Sequence, residues 1–417
     1  MPNENKKRTV AIIGGGASGI FASIRIADLA KSLKKPITVE VFEASPSLLK
    51  KVKISGGGRC NVTHNQFEIR ALTSSYPRGE KELMSPFQRF QPQDTLDWFA
   101  SRGVKIKAEQ DGRMFPVTDS SQTIIDCFLG EAKKLGVKIH TSTPVRAVKK
   151  EKERFVLTMK TAQDFSCDHV LLATGSSMIG YKLAEQLGHK ITELAPSLFT
   201  FKIQHPLLAE LSGTSFATSK LKLKIPGEKS FEQVGPLLIT HWGLSGPALL
   251  KLSALAAREM KRQNYNAILT VCWLGEFSED EVRNMWDLHS RENSKSHIGN
   301  VPLGSLTKRF WKSVLSFCEI PQDKKVSELS KKEKNRLIAC LHHVDLPVTG
   351  KSRFKEEFVE CGGVDLREVD FKTMQSRVCE SLYLTGELLD VDGITGGFNF
   401  QHAWTSAWIA GEAIVSD

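Results

Sequence analysis

With 417 residues, 41% of them hydrophobic and 25% charged, the chain has the composition of a globular protein with room for sizeable cores, which excludes a disordered or fibrous class. No run approaches the ~18 uninterrupted apolar residues of a membrane span, and the polar, basic stretch 1–9 carries no apolar core of a signal peptide. The 57 basic against 47 acidic residues give +10, which favours approach of an anionic cofactor, a nucleotide or RNA without choosing among them.

The chain opens on a strand, a glycine turn and a helix. Val10-Ala11-Ile12-Ile13 reads as a strand buried on both faces, ending at Gly14-Gly15-Gly16. Gly14, Gly16 and Gly19 fill a G-x-G-x-x-G pattern. Gly14 suits the tight turn, Gly16 the close approach of backbone to a pyrophosphate, and Gly19 the packing of helix on strand. The helix expected from Ala17 aims its free N–H groups and about half a positive charge at that phosphate. A second strand over 37–43 ends on Glu43, a little past the ~20-residue spacing of a ribose-binding carboxylate. An ordinary surface Glu is the competing reading, weakened by the strand-turn-helix-strand order.

After Ser45-Pro46, the stretch Ser55-Gly56-Gly57-Gly58-Arg59-Cys60-Asn61 reads as a loop whose backbone presses on a planar or phosphorylated ligand while its side chains donate hydrogen bonds. A helix is expected over 92–102, then a hairpin over 104–117 turned at Asp111-Gly112. Ser120 or Ser121 caps a helix to Leu135, and strands follow at 137–140, 145–149 and 155–160, with 149–154 a solvated tip. The buried strand 167–172 ends in Ala173-Thr174-Gly175, a small-residue turn suited to the ligand edge of a parallel sheet.

The character changes at Pro196. Strands are expected at 198–204, 221–225 and 266–273, with Lys220, Lys222 and Lys224 marking a wet face. The stretch 239–247 reads as a turn, and Pro247 opens a helix through Met260. Ser278 caps a modestly basic helical region running to about His342. Alternating strands and glycine turns return with a strand and glycine turn over 358–364 and with the strand Leu382-Tyr383-Leu384, which meets Thr385-Gly386-Glu387. Gly396-Gly397 then leads into a closing helix through Ile414, a second helix N-terminus able to hold partial negative charge on a ring system. The eight cysteines form no C-x-x-C pair and no zinc spacing, which points to free thiols in a reducing cytoplasm and to no metal site.

Five motifs together resemble the BaiN/YhiN-like flavoproteins across essentially the whole chain. They are the 14–19 fingerprint, Ile54-Ser55-Gly56-Gly57-Gly58-Arg59-Cys60-Asn61, Gly112-Arg113-Met114-Phe115-Pro116, Thr240-His241-Trp242-Gly243-Leu244-Ser245-Gly246-Pro247, and the run from Gly386-Glu387 through Asp390 to Gly396-Gly397-Phe398-Asn399-Phe400-Gln401. The resemblance implies an α/β protein with a discontinuous FAD-binding Rossmann-like domain, 1–195 and 343–417. A β-rich insert, 196–277, carries a helical subdomain, 278–342. It implies one FAD, with Gly14, Gly16 and Gly19 at the pyrophosphate, Glu43 at the ribose, and Arg59, Cys60 and Asn61 at the flavin side. Glu387, Asp390, Gly396, Gly397, Phe398 and Asn399 fall at the ribityl and pyrimidine end, and Ala17, Ser18, Ala44, Gly58, Val145, Ala173, Thr174, Gly175 and Gly386 complete the cofactor-binding set.

Members of that family are NAD(P)H-dependent oxidoreductases, some reducing a carbon-carbon double bond in steroid-like molecules and others making dihydrouridine in ribosomal RNA. The implied function is an FAD-dependent reductase of an activated double bond. Dihydrouridine synthesis, or a non-catalytic FAD-containing RNA-binding protein, stands as the alternative. The resemblance implies NAD(P)H as donor, which with a single fingerprint would have to bind transiently, and a small molecule or RNA as acceptor; the lack of a long apolar run predicts no membrane partner. Two departures stand out: Leu49-Lys50-Lys51 replaces the family's Gly-Arg-Lys, losing a guanidinium fork, and the loop from Ser176 to Gly180-Tyr181 is short. Cys60 and His241 are the candidate proton donors. Against them stand a small residue chosen for a tight loop, a thiolate made by neighbouring Arg59, and a histidine satisfied by a partner in its turn.

Overall fold

The computed structural model describes residues 7–160, 163–351 and 359–417. They divide into one unit of Met1–Leu194 with Val359–Asp417 and a second of Ala195–Phe358.

The first unit is built on a seven-stranded sheet in the order Val369–Asp370, Gln375–Ser376, Leu382–Leu384, His169–Leu172, Arg8–Ile13, Ile37–Phe42, Lys138–His140. The last five run parallel, with Ile13 level with Leu172 on one side and Phe42 on the other. Central position explains the unbroken apolar run: Val10, Ala11 and Ile12 have no exposed surface. The helix Ala17–Ser32 follows and packs on the closing helix Phe398–Ser416, so it is buried on most sides rather than along one stripe. Phe21 centres an aromatic cluster, its ring 4.9 Å from Trp98, 6.0 Å from Phe128 and 5.5 Å from Trp404. A meander of Val145–Glu151, Arg154–Met159 and Phe165–Cys167 adds Val148, Phe155 and Leu157 to the same core.

The second unit is a closed antiparallel barrel in the order Phe201–Lys202, Gly243–Ser245, Phe231–Thr240, Ser215–Lys224, Asn266–Cys272, Val344–Lys351. Helices Glu279–Glu292, Lys308–Phe317 and Lys331–His342 come between its last two strands, the first and third opened by capping boxes at Ser278/Glu281 and Ser330/Glu333. Leu221 and Leu223 point inward, while Lys222 pairs with Glu232 at 2.9 Å on the wet face.

Several expectations are corrected here. Val344–Lys351 is a barrel strand, so the first unit resumes at Val359 and not at 343. The expected turn 239–247 is mostly strand, with only His241-Trp242 turning. The helix from Pro247 breaks at Ala256, and of 198–204 only Phe201 and Lys202 pair as a strand. The 50–58 stretch starts as helix before Ser55 kinks it and Gly56 and Gly57 take positive φ. The strand and glycine turn expected over 358–364 form as the strand Val359–Cys361 followed by Gly362 and Gly363 at positive φ, while Phe358 lies outside the described residues. Among the described residues no helix is long and apolar enough to cross a membrane.

Candidate cofactor site

The fingerprint turn is shaped by two contacts that tolerate only hydrogen. Gly14 has φ +114°, and a Cβ there would lie 2.3 Å from the Ala173 carbonyl oxygen; a Cβ on Gly19 would lie 2.0 Å from the Gly14 carbonyl oxygen. Gly16 differs, since a Cβ built on it meets nothing within 4 Å. It is also the N-cap of Ala17–Ser32 and provides no side-chain cap, so it offers the first N–H groups of the helix no side-chain acceptor. The positive end of this helix suits an anionic group, and nothing at Gly16 obstructs one.

Glu43 follows the strand Ile37–Phe42. Its carboxylate accepts from the Gly15 and Ser45 N–H groups, each at 2.8 Å, which ties the strand end to the glycine turn. Two carboxylate oxygens offer about four acceptor positions, so two bonds leave room for a ribose diol. Exposed Ala44 adjoins it, and the Thr143 N–H donates to the Glu43 carbonyl at 2.9 Å, setting buried Val145 beside the same edge.

The other end of the site is assembled from distant segments. Ala173, Thr174 and Gly175 lie past the parallel strand His169–Leu172, and Thr385, Gly386 and Glu387 past its neighbour Leu382–Leu384. The closing helix grips Gly386 from both sides: its N–H donates to Ser406 Oγ at 3.0 Å, and His402 Nε2 reaches its carbonyl at 3.3 Å. Burial pushes His402 down to about 4, so it is neutral and donates through Nε2. Lys51 pairs with Glu387 and donates to Ser176 Oγ at 3.2 Å, which gives the departure at 49–51 a definite place.

The second and last motifs meet as well. A Cβ on Gly397 would lie 2.5 Å from the Thr63 carbonyl oxygen and 2.9 Å from Asn61 Oδ1, and His64 Nδ1 is 2.9 Å from the Gly396 carbonyl. Arg78 pairs with Asp392, whose side chain is buried, Asp390 is buried nearby in sequence, and Tyr76 donates to the Phe398 carbonyl at 2.7 Å.

Some expected ligand groups are turned to other partners. The Arg59 guanidinium lies 2.6 Å from Glu109 and 3.6 Å from Asp119, over the Phe115 ring, and the Asn399 amide exchanges two hydrogen bonds with the Gly393 backbone. Asn61 Oδ1 accepts from the Met114 N–H at 3.2 Å. Gly58 is exposed, with open space where a Cβ would stand. Cys60 has φ +63° and no exposed surface, and burial pushes its thiol up to about 12. The thiolate alternative therefore fails: Arg59 is engaged elsewhere and the sulfur stays protonated. His241 belongs to the barrel unit, where it is exposed, with Nδ1 3.1 Å from Ser212 Oγ and its ring edge-on to Trp242.

Sequence reasoning missed His402 and Ser406. Helical spacing from Phe398 is the available signal, and it names no partner. Two surface recesses in this unit, of about 340 Å³ beside Trp98 and Trp408 and about 690 Å³ beside Lys149 and Val378, share no residue with the site.

A family model described as the HI0933-like protein Rossmann domain matches residues 8–413. The 3-dehydro-bile acid delta(4,6)-reductase of Clostridium scindens is 29% identical over 412 residues, covering 97% of this chain and 98% of that one. The ribosomal RNA dihydrouridine synthase of Haemophilus influenzae is 30% identical over 413 residues, covering 95% and 96%. Among solved structures, the 3-ketosteroid delta1-dehydrogenase from Sterolibacterium denitrificans, 11% identical, superposes with a TM-score of 0.50 over 98% of this chain and 100% of that one, a likeness of fold.

Proposed function

The chain belongs to the HI0933-like family of Rossmann flavoproteins, and on that premise we propose that this FAD-dependent oxidoreductase saturates an activated carbon-carbon double bond with electrons from NAD(P)H. One observation carries the reading. A delta(4,6)-reductase and a dihydrouridine synthase differ in acceptor, yet both names describe saturation of a double bond, and both proteins align over nearly the whole chain.

When bound, FAD supplies the two-electron chemistry. The chain's own residues bind and orient it. N–H groups at the start of Ala17–Ser32 would take the pyrophosphate charge, and Glu43 would take the ribose hydroxyls on its remaining acceptor positions. Glu387, fixed by Lys51, and the 173–175 turn border the other end. His241 stands as the candidate proton donor on its own chemistry alone, an imidazole reached by solvent whose Nδ1 lies 3.1 Å from Ser212 Oγ. Cys60 receives no such role, because burial pushes its thiol up to about 12, well above the range in which a general acid works at neutral pH.

Ribosomal RNA is the second reading of the acceptor, favoured by the 30% identity to the synthase and the net charge of +10. Anaerobic mixing with NADH and with NADPH, followed by a steroid-like enone or by unmodified ribosomal RNA, tests both readings. Bleaching of the flavin absorbance and its return with one acceptor supports the proposal and selects the acceptor. Flavin that neither nicotinamide bleaches contradicts it.

A further inference from the structure

Tyr181 lies in the first turn of Met178–Gln186, just past the short loop after Gly175, and only 2% of it is exposed. Its Oη has no hydrogen-bond partner among the described residues, and neither does buried Thr174 Oγ1. The two belong to one structure. A Cβ on Gly180 would lie 1.8 Å from Thr174 Oγ1, so the threonine side chain packs directly on the residue before Tyr181. Ser177 Oγ accepts from the Gly180 N–H at 3.0 Å, which fixes the turn that carries the phenol.

Glu387, Asp390 and Glu360 are the carboxylates whose charge Tyr181 feels, the first two standing in the C-terminal cofactor motif. A Cβ on Gly175 would lie 3.7 Å from Glu387 Oε2, which brings this turn and that motif to the same edge of the sheet. Burial, reinforced by those negative charges, pushes the phenol up, so it remains a donor throughout the neutral range. A buried hydroxyl left without a partner is a cost to the fold and calls for an explanation, and a ligand that brings the partner is one such explanation.

We propose that Tyr181 is a cofactor-binding residue whose Oη donates a hydrogen bond to an oxygen acceptor of bound FAD. The proposal rests on the FAD-binding reading above and adds a contact that none of the sequence motifs names. It makes two effects of one substitution point in opposite directions. Tyr181→Phe keeps the ring and removes only a hydroxyl that lacks a partner in the cofactor-free chain, so the cofactor-free variant melts at the same temperature as wild type or higher. The same change removes a bond made to the cofactor, so FAD binds about tenfold more weakly, the ordinary worth of one hydrogen bond.

The test is titration of full-length, cofactor-free wild type and Tyr181→Phe with FAD, read by quenching of flavin fluorescence, beside thermal melts of both cofactor-free proteins. Weaker FAD binding without loss of melting temperature supports the assignment. FAD affinity within twofold of wild type overturns it, and so does a variant that melts lower or does not fold, since the hydroxyl then has a partner inside the protein. A wild-type chain that takes up no FAD removes the cofactor reading itself, and this assignment with it.

Discussion

The Ser18 hydroxyl donates to Thr385 Oγ1 at 2.7 Å, joining the first turn of the fingerprint helix to the C-terminal segment across 367 residues of chain. Both side chains are buried, and Gly386 presses on the same point, since its Cβ would lie 3.1 Å from Ser18 Cβ. This contact makes one site from two ends of the sequence. Ser18→Ala leaves the buried Thr385 hydroxyl without its donor and costs roughly 1–3 kcal/mol in denaturant unfolding. Thr385→Val costs a similar amount, and the double variant loses less than the sum. Strict additivity contradicts the coupling.

Gly16 and Gly19 separate cofactor binding from folding. Gly16 has φ −82° and open space around its missing side chain, so Gly16→Val folds with near-native secondary structure and melting temperature but is colourless. Gly19→Ala forces a methyl group against the Gly14 carbonyl and destabilises on the order of 3 kcal/mol. Circular dichroism and flavin absorbance of both variants check this, and a yellow Gly16→Val protein refutes the role given to Gly16.

His402 makes stability depend on pH. Its native value of about 4 lies below the ordinary 6.5, so the unfolded chain binds the extra proton first and stability falls as pH drops from 6.5 towards 4. Between pH 7 and pH 5 this one group accounts for roughly 2 kcal/mol at 1.36 kcal/mol per pKa unit. His169 and His189 shift in the same direction, so the comparison is between wild type and His402→Gln, whose loss over that interval is smaller by about that amount. Equal pH dependence in the two proteins contradicts the burial argument.

Cys60 is inert in the native protein. Its enclosed thiol, pushed up to about 12, resists iodoacetamide at pH 8 and is alkylated only on unfolding. Peptide mass mapping after brief labelling reads this directly, and modification within minutes contradicts it.

The strand, turn and helix around Gly14 were legible because each signal is local: a buried parallel strand reads as an apolar run, and the glycines stand at fixed offsets. The barrel was legible only in part. Val344, Leu346 and Val348 alternate as a strand should, but they follow a helical region and Pro347 interrupts them, so the local pattern does not assign this strand to the barrel. Phe231–Thr240 contains Gly235 and Pro236 and shows no clean alternation. Side-chain partners were less legible still. Arg59 finds Glu109 and Asp119, and Lys51 finds Glu387, across separations that no local pattern encodes.

The central claim is that the fingerprint and the C-terminal motif enclose a single FAD. Purified wild-type protein, saturated with FAD, freed of excess and then denatured, is assayed by the absorbance of the released flavin against protein concentration. One FAD per chain is the predicted result, and a chain that retains no FAD, or binds it no better than Gly16→Val does, contradicts the account.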